Sequence, residues 1–352
     1  MRAYVPRLRA LTRHVSSFTE QRRIFLDDRF GATHFLKPVL DGDPDAFFTN
    51  GDDMKLQRAW ARENGLKADA SLEDILLAQI EAHRTEVFYN HDPVRYPSSF
   101  VRRLPGCVKR KIAWRAAPSG NSDFGAYDLM VCNFPSILEE YRTRGWHGTY
   151  FTPAHDPEMD AYAGNEERPI DVLFVGGYSR HHWNRAAILE RVAKLRYTHK
   201  IVYHLDSSSR FQRLAESPLG LLGPLKKHRR PAEIRAIDAP PVFGRDLYKA
   251  LSQAKIVLNG AIDMSGIDRG NMRCWESMGC GALLISDVGN YPEGMAAGKT
   301  METYNSAADV ISIIEGFLNE PTRLVQIACY GHQMIRKEYS KERQWQRFSE
   351  LL

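Results

Sequence analysis

Asp268 and Glu276 stand eight residues apart, with Arg269 and Arg273 between them. The stretch they open reads Asp268-Arg269-Gly270-Asn271-Met272-Arg273-Cys274-Trp275-Glu276-Ser277-Met278-Gly279-Cys280-Gly281-Ala282-Leu283-Leu284-Ile285-Ser286-Asp287. Carboxylates accept hydrogen bonds from hydroxyls, and guanidiniums hold phosphate oxygens through paired N–H groups. Together they suit a polar, phosphorylated ligand. The order of residue types predicts a loop, a short helix, a tight glycine turn and a buried strand. Gly279 and Gly281 permit a left-handed or tightly packed backbone. Ala282-Leu283-Leu284-Ile285 is an apolar run of the kind that fills a parallel sheet buried on both faces. The plain alternative is a helix-to-strand connection with ordinary surface charges.

Three other places carry residue types that do chemistry. Gly176-Gly177 follows the apolar run Asp171-Val172-Leu173-Phe174-Val175 and leads toward a helix. Such a turn brings backbone N–H groups and a helix N-terminus close to a phosphate, and Arg180 and Arg185 are near enough in sequence to reach a diphosphate. There is no Gly-x-Gly-x-x-Gly and no Walker loop, which removes the main support for a nicotinamide dehydrogenase and for the commonest ATPases. His34 and His91-Asp92 each follow an apolar run read as a strand (Arg23–Asp27 and Glu86–Asn90) and are candidates for a general base toward an acceptor hydroxyl. A structural role is the competing reading for each. Asp41-Gly42-Asp43 has the Asp-x-Asp form that can hold a divalent metal, but it lies among turn residues, so no metal is expected.

Elements that alternate strand and helix must position these residues. Short apolar runs at 86–90, 111–114, 127–132, 171–175, 201–205, 256–259 and 282–285 alternate with helical stretches, which predicts an α/β fold with parallel strands. A chain of 352 residues exceeds what one core usually serves. The polar, proline-bearing stretch 152–169 is read as a linker between two doubly wound units. Ligands of such units bind at the carboxyl ends of the strands. The five cysteines are scattered without a Cys-x-x-Cys pair, which argues against zinc or a disulfide framework. No run is long enough for a membrane span, and no secretory signal is evident, so a cytoplasmic location is expected. Net charge is +5. Much of it lies in Arg2, Arg7, Arg9, Arg13, Arg22 and Arg23, and in Lys226-Lys227-His228-Arg229-Arg230. These are read as solvated charge, or as a peripheral contact with the anionic inner face of a membrane; nucleic acid is not an expected partner. Residues 207–241 read as irregular or partly helical.

From Asp171 onward the chain resembles bacterial glycosyltransferases of the GT-B fold, specifically the group-1-like transferases that include the spore-maturation-protein type. The resemblance rests on Phe174-Val175-Gly176-Gly177, Asn259, the run Arg273 to Leu284, Glu293, Gly298 and Tyr304, and on Arg323, Ile327-Ala328, Gly331 and Arg343. Trp275 stands where that family usually has phenylalanine. Looser likeness runs through Gln57, Trp60, Ala61, Glu63, Gly65, residues 75–81, Tyr127-Asp128 and residues 153–157. The resemblance implies an N-terminal acceptor-binding domain at 1–165 and a C-terminal nucleotide-sugar domain at 166–340, both Rossmann-like and facing a central cleft. It also implies a last helix at 341–352 that crosses back to brace the first domain. It further implies transfer of a sugar from a UDP-, GDP- or other nucleotide donor to a glycan, lipid-linked or protein acceptor, without a required cofactor. Related retaining enzymes of glycosyltransferase family 4 carry Glu-x7-Glu. By that likeness Glu276 holds the ribose and Asp268 contacts the donor sugar with retention of configuration, while Arg273, with Arg180 or Arg185, holds the diphosphate. A GT-B epimerase or phosphorylase, or a non-catalytic sugar-nucleotide-binding partner, are the alternatives.

Overall fold

The computed structural model describes residues 3–179, 182–206, 214–221, 225, 228–260 and 265–352. The chain divides into two compact units. The first gathers Arg7–Ala154, Met264–Asp268 and Lys341–Leu352, and the second Met1–Pro6, His155–Asp263 and Arg269–Ser340.

In the first unit, Val87–Asn90 (β1), Arg110–Trp114 (β2), Leu129–Cys132 (β3) and Gly148–Tyr150 (β4) form a parallel sheet in chain order. Successive side chains point to opposite faces. Ala113, Met130 and Cys132 therefore pack with Leu76, Ile80, Ile137 and Leu138, while Ile112, Trp114, Leu129 and Val131 pack with Leu36, Phe151 and Phe348 on the other side. Phe348 belongs to the C-terminal helix Lys341–Ser349, which is thus part of this sheet's cover. At the start of the helix Leu72–Ala82, Ser71 accepts a hydrogen bond from the amide of Asp74 at 3.1 Å and so caps it.

Arg23–Asp27 is not a strand. It is the end of a helix, Phe18–Asp27, whose N-cap Ser17 accepts from the amide of Glu20. Phe18, Gln21 and Phe25 form its buried face, and Phe25 stacks on Phe48 with ring centroids 5.4 Å apart. The apolar cluster Ile24-Phe25-Leu26 hid this longer period. His34 accordingly ends a short 3-10 turn, Ala32–His34, after a helix, while His91 does follow β1.

In the second unit, Ile170–Gly176 (β5), Ile201–Leu205 (β6), Asp238–Ala239 (β7), Ala254–Leu258 (β8), Leu283–Asp287 (β9) and Glu302–Tyr304 (β10) form a parallel sheet in the order β10-β9-β8-β5-β6-β7. Counted from β5, that is the doubly wound Rossmann order, with its reversal between β5 and β8. Val172, Phe174, Ile256, Leu258, Leu283 and Ile285 fill one face. Leu173 and Val257 fill the other together with Leu247 and Leu251. Both faces being buried explains why β5, β8 and β9 read as continuous apolar runs.

The chain passes between units at Ala154 and His155, inside the stretch read as a linker. That stretch opens as buried backbone rather than as an exposed polar segment: Thr152, Ala154, His155 and Asp156 are each at most 5 % exposed. The amide of Ala154 donates to Thr33 and that of His155 to Tyr339, so its backbone groups are satisfied within the folded protein.

Gly279 and Gly281 serve different needs. Gly281 has φ +73° and a Cβ there would sit 2.8 Å from an Arg168 Nη2 and 3.0 Å from the Ala163 carbonyl. Gly279 lacks a left-handed φ, but a Cβ would sit 2.4 Å from Met159 Sδ. The first glycine turns the chain and the second lets a helix end approach its neighbour.

Candidate active site

The switch point between β5 and β8 is where a doubly wound sheet binds its ligands. In the second unit that point carries Gly176-Gly177 at the end of β5 and Asn259-Gly260 just after β8. Arg185 projects from the helix Trp183–Ala193 that follows β5. Its guanidinium lies over the Phe174 ring, 5.0 Å from the centroid. A Cβ on Gly176 would fall 2.7 Å from Arg185 Nη2 and 3.0 Å from that ring, so Gly176 is what lets the arginine lie flat across the strand end. A Cβ on Gly177 would meet nothing within 4 Å; the backbone there is open.

A chain of polar contacts runs from the switch point to the helix Met272–Gly279. Asn259 Nδ2 donates to Ser286 Oγ at 3.0 Å, and Asn271 Nδ2 donates to Asn259 Oδ1 at 3.2 Å. Asn271 is the helix N-cap and accepts from the amide of Arg273 at 3.1 Å. The helix is held from below by Cys274, Trp275 and Met278, which pack with Leu284, Ile335 and Tyr339. On the same helix Arg273 turns onto the buried Glu276, with Nη1 2.6 Å from Oε2. Arg269 pairs with Asp287, at the end of β9, at 2.5 Å. Tyr304 donates to the carbonyl of Asn259 at 2.7 Å.

Two cations in this group have orphaned donors. Arg185 Nε and Arg273 Nε are buried and make no hydrogen bond among the described residues. Burial holds the Arg185 guanidinium below its ordinary pKa, Tyr304 and Asp287 oppose that, and the nearby Arg273 cation adds to it. A buried arginine beside another cation, with a donor unpaired, is the environment that an anionic oxygen would stabilise. The helix N-terminus adds partial positive charge. These residues could therefore hold a diphosphate, with Glu276 as a hydroxyl acceptor beside it.

Gly176, Gly177, Arg185, Arg273 and Glu276 thus share one sheet edge of the second unit. Arg180 lies outside the described residues. Asp268 and His34 belong to the first unit. Asp268 is 5 % exposed and its Oδ2 accepts from the amide of Ser136 at 2.7 Å, so it caps the helix Pro135–Thr143. Ser136 Oγ donates to the carbonyl of Ser265, and Ser265 Oγ to that of Asp268. His34 sits with its ring 4.6 Å from Trp114 and 6.0 Å from His91. Burial holds its imidazole well below the ordinary pKa, with His91 and Lys341 lowering it further. Asn271, Asn259, Ser286 and Asp287 were not singled out as a network by sequence. The N-cap pattern of Asn271 before a helix was its one local signal.

Other charged residues have structural partners. Asp41 ends the helix Lys37–Asp41 and pairs with Lys37, Gly42 caps that helix with φ 71°, and Asp43 accepts from the amide of Asp45 at 2.9 Å. Arg7 pairs with Asp28 and Arg23 with Asp27. Arg230 is buried between Glu216 and Asp238, 2.9 Å from each, so it is not solvated charge. Lys226 and Lys227 lie outside the described residues. A cavity of about 550 Å3, lined in part by Arg110, Asp128, Trp146 and His147, opens at the amino ends of β2 to β4, the edge opposite to that where such sheets bind ligands. No helix among the described residues is long and apolar enough to cross a membrane.

Comparison with known proteins fits this geometry. The glycosyl transferase-like family matches residues 180–350, which hold Arg185, Asn259, Arg273 and Glu276. This part of the chain is similar to that family, and the fold is the GT-B fold. Its structure is similar to that of the sucrose-phosphate synthase of Thermosynechococcus elongatus, with a TM-score of 0.52 and 13 % identity over 85 % of this chain and 78 % of that one. A glycosyltransferase from Rickettsia africae gives 0.50 and 10 % over 87 % and 83 %. A mutant of S. aureus TarM, in complex with fondaparinux, alpha-GlcNAc-glycerol and UDP, gives 0.55 and 8 % over 80 % and 59 %. No curated protein matches the chain in sequence.

Proposed function

We propose that this transferase moves a sugar from a nucleoside-diphosphate donor to an acceptor hydroxyl, with retention of configuration and without a divalent cation. The observation that carries the donor reading is the pair of buried, unpartnered donors, Arg185 Nε and Arg273 Nε, at the reversal of a Rossmann-ordered sheet. In this reading the second unit holds the donor. Its diphosphate lies against Arg185, Arg273, the Gly176-Gly177 backbone and the N-terminus of the Met272–Gly279 helix, with Arg180 as a further contact. Glu276 accepts hydrogen bonds from the ribose hydroxyls. UDP, present in the TarM complex, is the first nucleotide to test.

The first unit holds the acceptor, which is a glycan, lipid-linked or protein hydroxyl. The bond from acceptor oxygen to the anomeric carbon forms as the bond from that carbon to phosphate oxygen breaks. The electron pair leaves with the nucleoside diphosphate, where fixed cations stabilise the growing charge without reorganising. His34 meets the acceptor hydroxyl as a neutral imidazole, since burial, His91 and Lys341 all disfavour its protonated form, and it is required as the base if the product is inverted. Retention is proposed from the Asp268-to-Glu276 spacing in sequence alone; NMR assignment of the product anomer tests it, and an inverted product overturns it.

The test is transfer by Glu276→Ala. A hydrogen bond to a charged group contributes about 1.5–3 kcal/mol, so kcat/KM for the donor falls about 10- to 150-fold while the protein stays folded. Wild-type donor use in that variant contradicts the assignment. Turnover that survives EDTA supports the metal-free reading, and loss on chelation with recovery on adding a divalent cation overturns it.

A further inference from the structure

Lys341 is the first residue of the C-terminal helix Lys341–Ser349, yet it is only 2 % exposed. Its ammonium is turned inward. Nζ donates to the carbonyls of Ala32 at 2.7 Å, Thr33 at 3.1 Å and Phe35 at 2.6 Å, and to Gln344 Oε1 at 3.1 Å. Those carbonyls bracket His34. The same turn is held twice more. Gln344 Nε2 donates to Thr33 O at 3.3 Å, and the amide of Ala154 donates to Thr33 O at 2.8 Å. The turn begins at Gly31, with φ 78°. A buried ammonium spread over several carbonyls is an expensive device for fixing three residues, because burying a lysine costs both solvation and side-chain entropy. A methionine would fill the same volume without that cost. All these residues belong to one unit.

We infer that Lys341 is a positioning residue for His34, fixing the turn that presents the imidazole against Trp114 and His91. This rests on the reading of His34 as the group that meets the acceptor hydroxyl. The groups that face His34 are Trp114 of β2, His91 after β1 and the Lys341 ammonium; the last two are titratable and both hold His34 toward its neutral form. Lys341 therefore acts on geometry and on protonation together, and the two effects separate experimentally.

The test compares Lys341→Met, Lys341→Arg and Gln344→Leu with the full-length wild-type protein, reading the His34 imidazole by NMR titration and kcat against pH. Loss of the ammonium in Lys341→Met raises the His34 midpoint, moves the acid limb of kcat the same way, and lowers kcat about tenfold or more with donor KM unchanged. Lys341→Arg keeps the charge and restores the midpoint. If Lys341→Met does not fold, Gln344→Leu carries the test, because it loosens the same turn while leaving the ammonium in place; it alters the His34 ring shifts and lowers kcat. Unchanged His34 shifts, midpoint and kcat in folded Lys341→Met or Gln344→Leu overturn the inference. His34→Gln is run in parallel. If it transfers sugar at the wild-type rate, the base reading fails, while the NMR comparison still decides whether Lys341 positions the ring.

Discussion

A guanidinium whose Nε is buried without an acceptor holds a place for an oxygen that arrives later. Arg185 and Arg273 are both in this state, and they differ in what else they touch. Arg273 is neutralised by Glu276; Arg185 has a ring face and no ion pair among the described residues. Replacing Arg185 with alanine therefore weakens nucleoside-diphosphate binding more than replacing Arg273, whose loss also frees Glu276. Calorimetric titration of both variants checks the order, with about a 10- to 150-fold loss for Arg185→Ala; equal affinity in wild type and Arg185→Ala contradicts it. Residue types and spacing made the need for glycine at 279 and 281 legible and drew attention to Arg273 and Glu276, which the fold pairs. They did not show that the amide of Ser136 occupies an oxygen of Asp268, because that partner lies 132 positions away and no local pattern encodes it. The two carboxylates that look alike in sequence stand in different units of the fold.

At the scale of elements, long apolar runs were readable and short ones were not. β5, β8 and β9 are buried on both faces and read as strands. β4, β7 and β10 have three, two and three residues, too few to show a period. Arg23–Asp27 reads as a strand because Ile24, Phe25 and Leu26 stand together, while Ser17, the cap that defines the helix Phe18–Asp27, is polar and gives little signal alone. The turn between the Met272–Gly279 helix and β9 gives a sharp prediction. Gly281→Ala puts a side chain at φ +73° and against Arg168, which itself ties together the carbonyls of Ala163, Ala254 and Cys280. The cost is about 1–3 kcal/mol, read as a lower denaturant midpoint with an unchanged slope. Gly177→Ala, which meets no atom, leaves the midpoint within error. Equal midpoints for the two variants refute the distinction.

For the whole molecule, imidazoles with lowered pKa set the acid side of stability: His34, His83, His91, lowered to about 4, and His155 among the described residues. Burial lowers His34 and His155, and for His155 the hydrogen bond to Asp160 at 2.9 Å opposes this without reversing it. The unfolded chain takes up protons near pH 6.5 while the folded chain resists, so stability is full above that pH and declines as pH falls below it. Denaturation at pH 7.5 and 5.5 is expected to show the decline, and His155→Gln to reduce it. A midpoint independent of pH across this window speaks against the buried, neutral histidines.

The donor assignment is tested most directly by thermal denaturation with UDP, GDP, ADP, CMP and dTDP compounds. A ligand at 100 times its dissociation constant adds about 2.7 kcal/mol, or roughly 5–10 °C for a domain of this size. The account predicts that one nucleotide produces such a saturable rise in the wild-type protein and that Arg185→Ala abolishes most of it. No rise with any of the five, or an equal rise in Arg185→Ala, contradicts it.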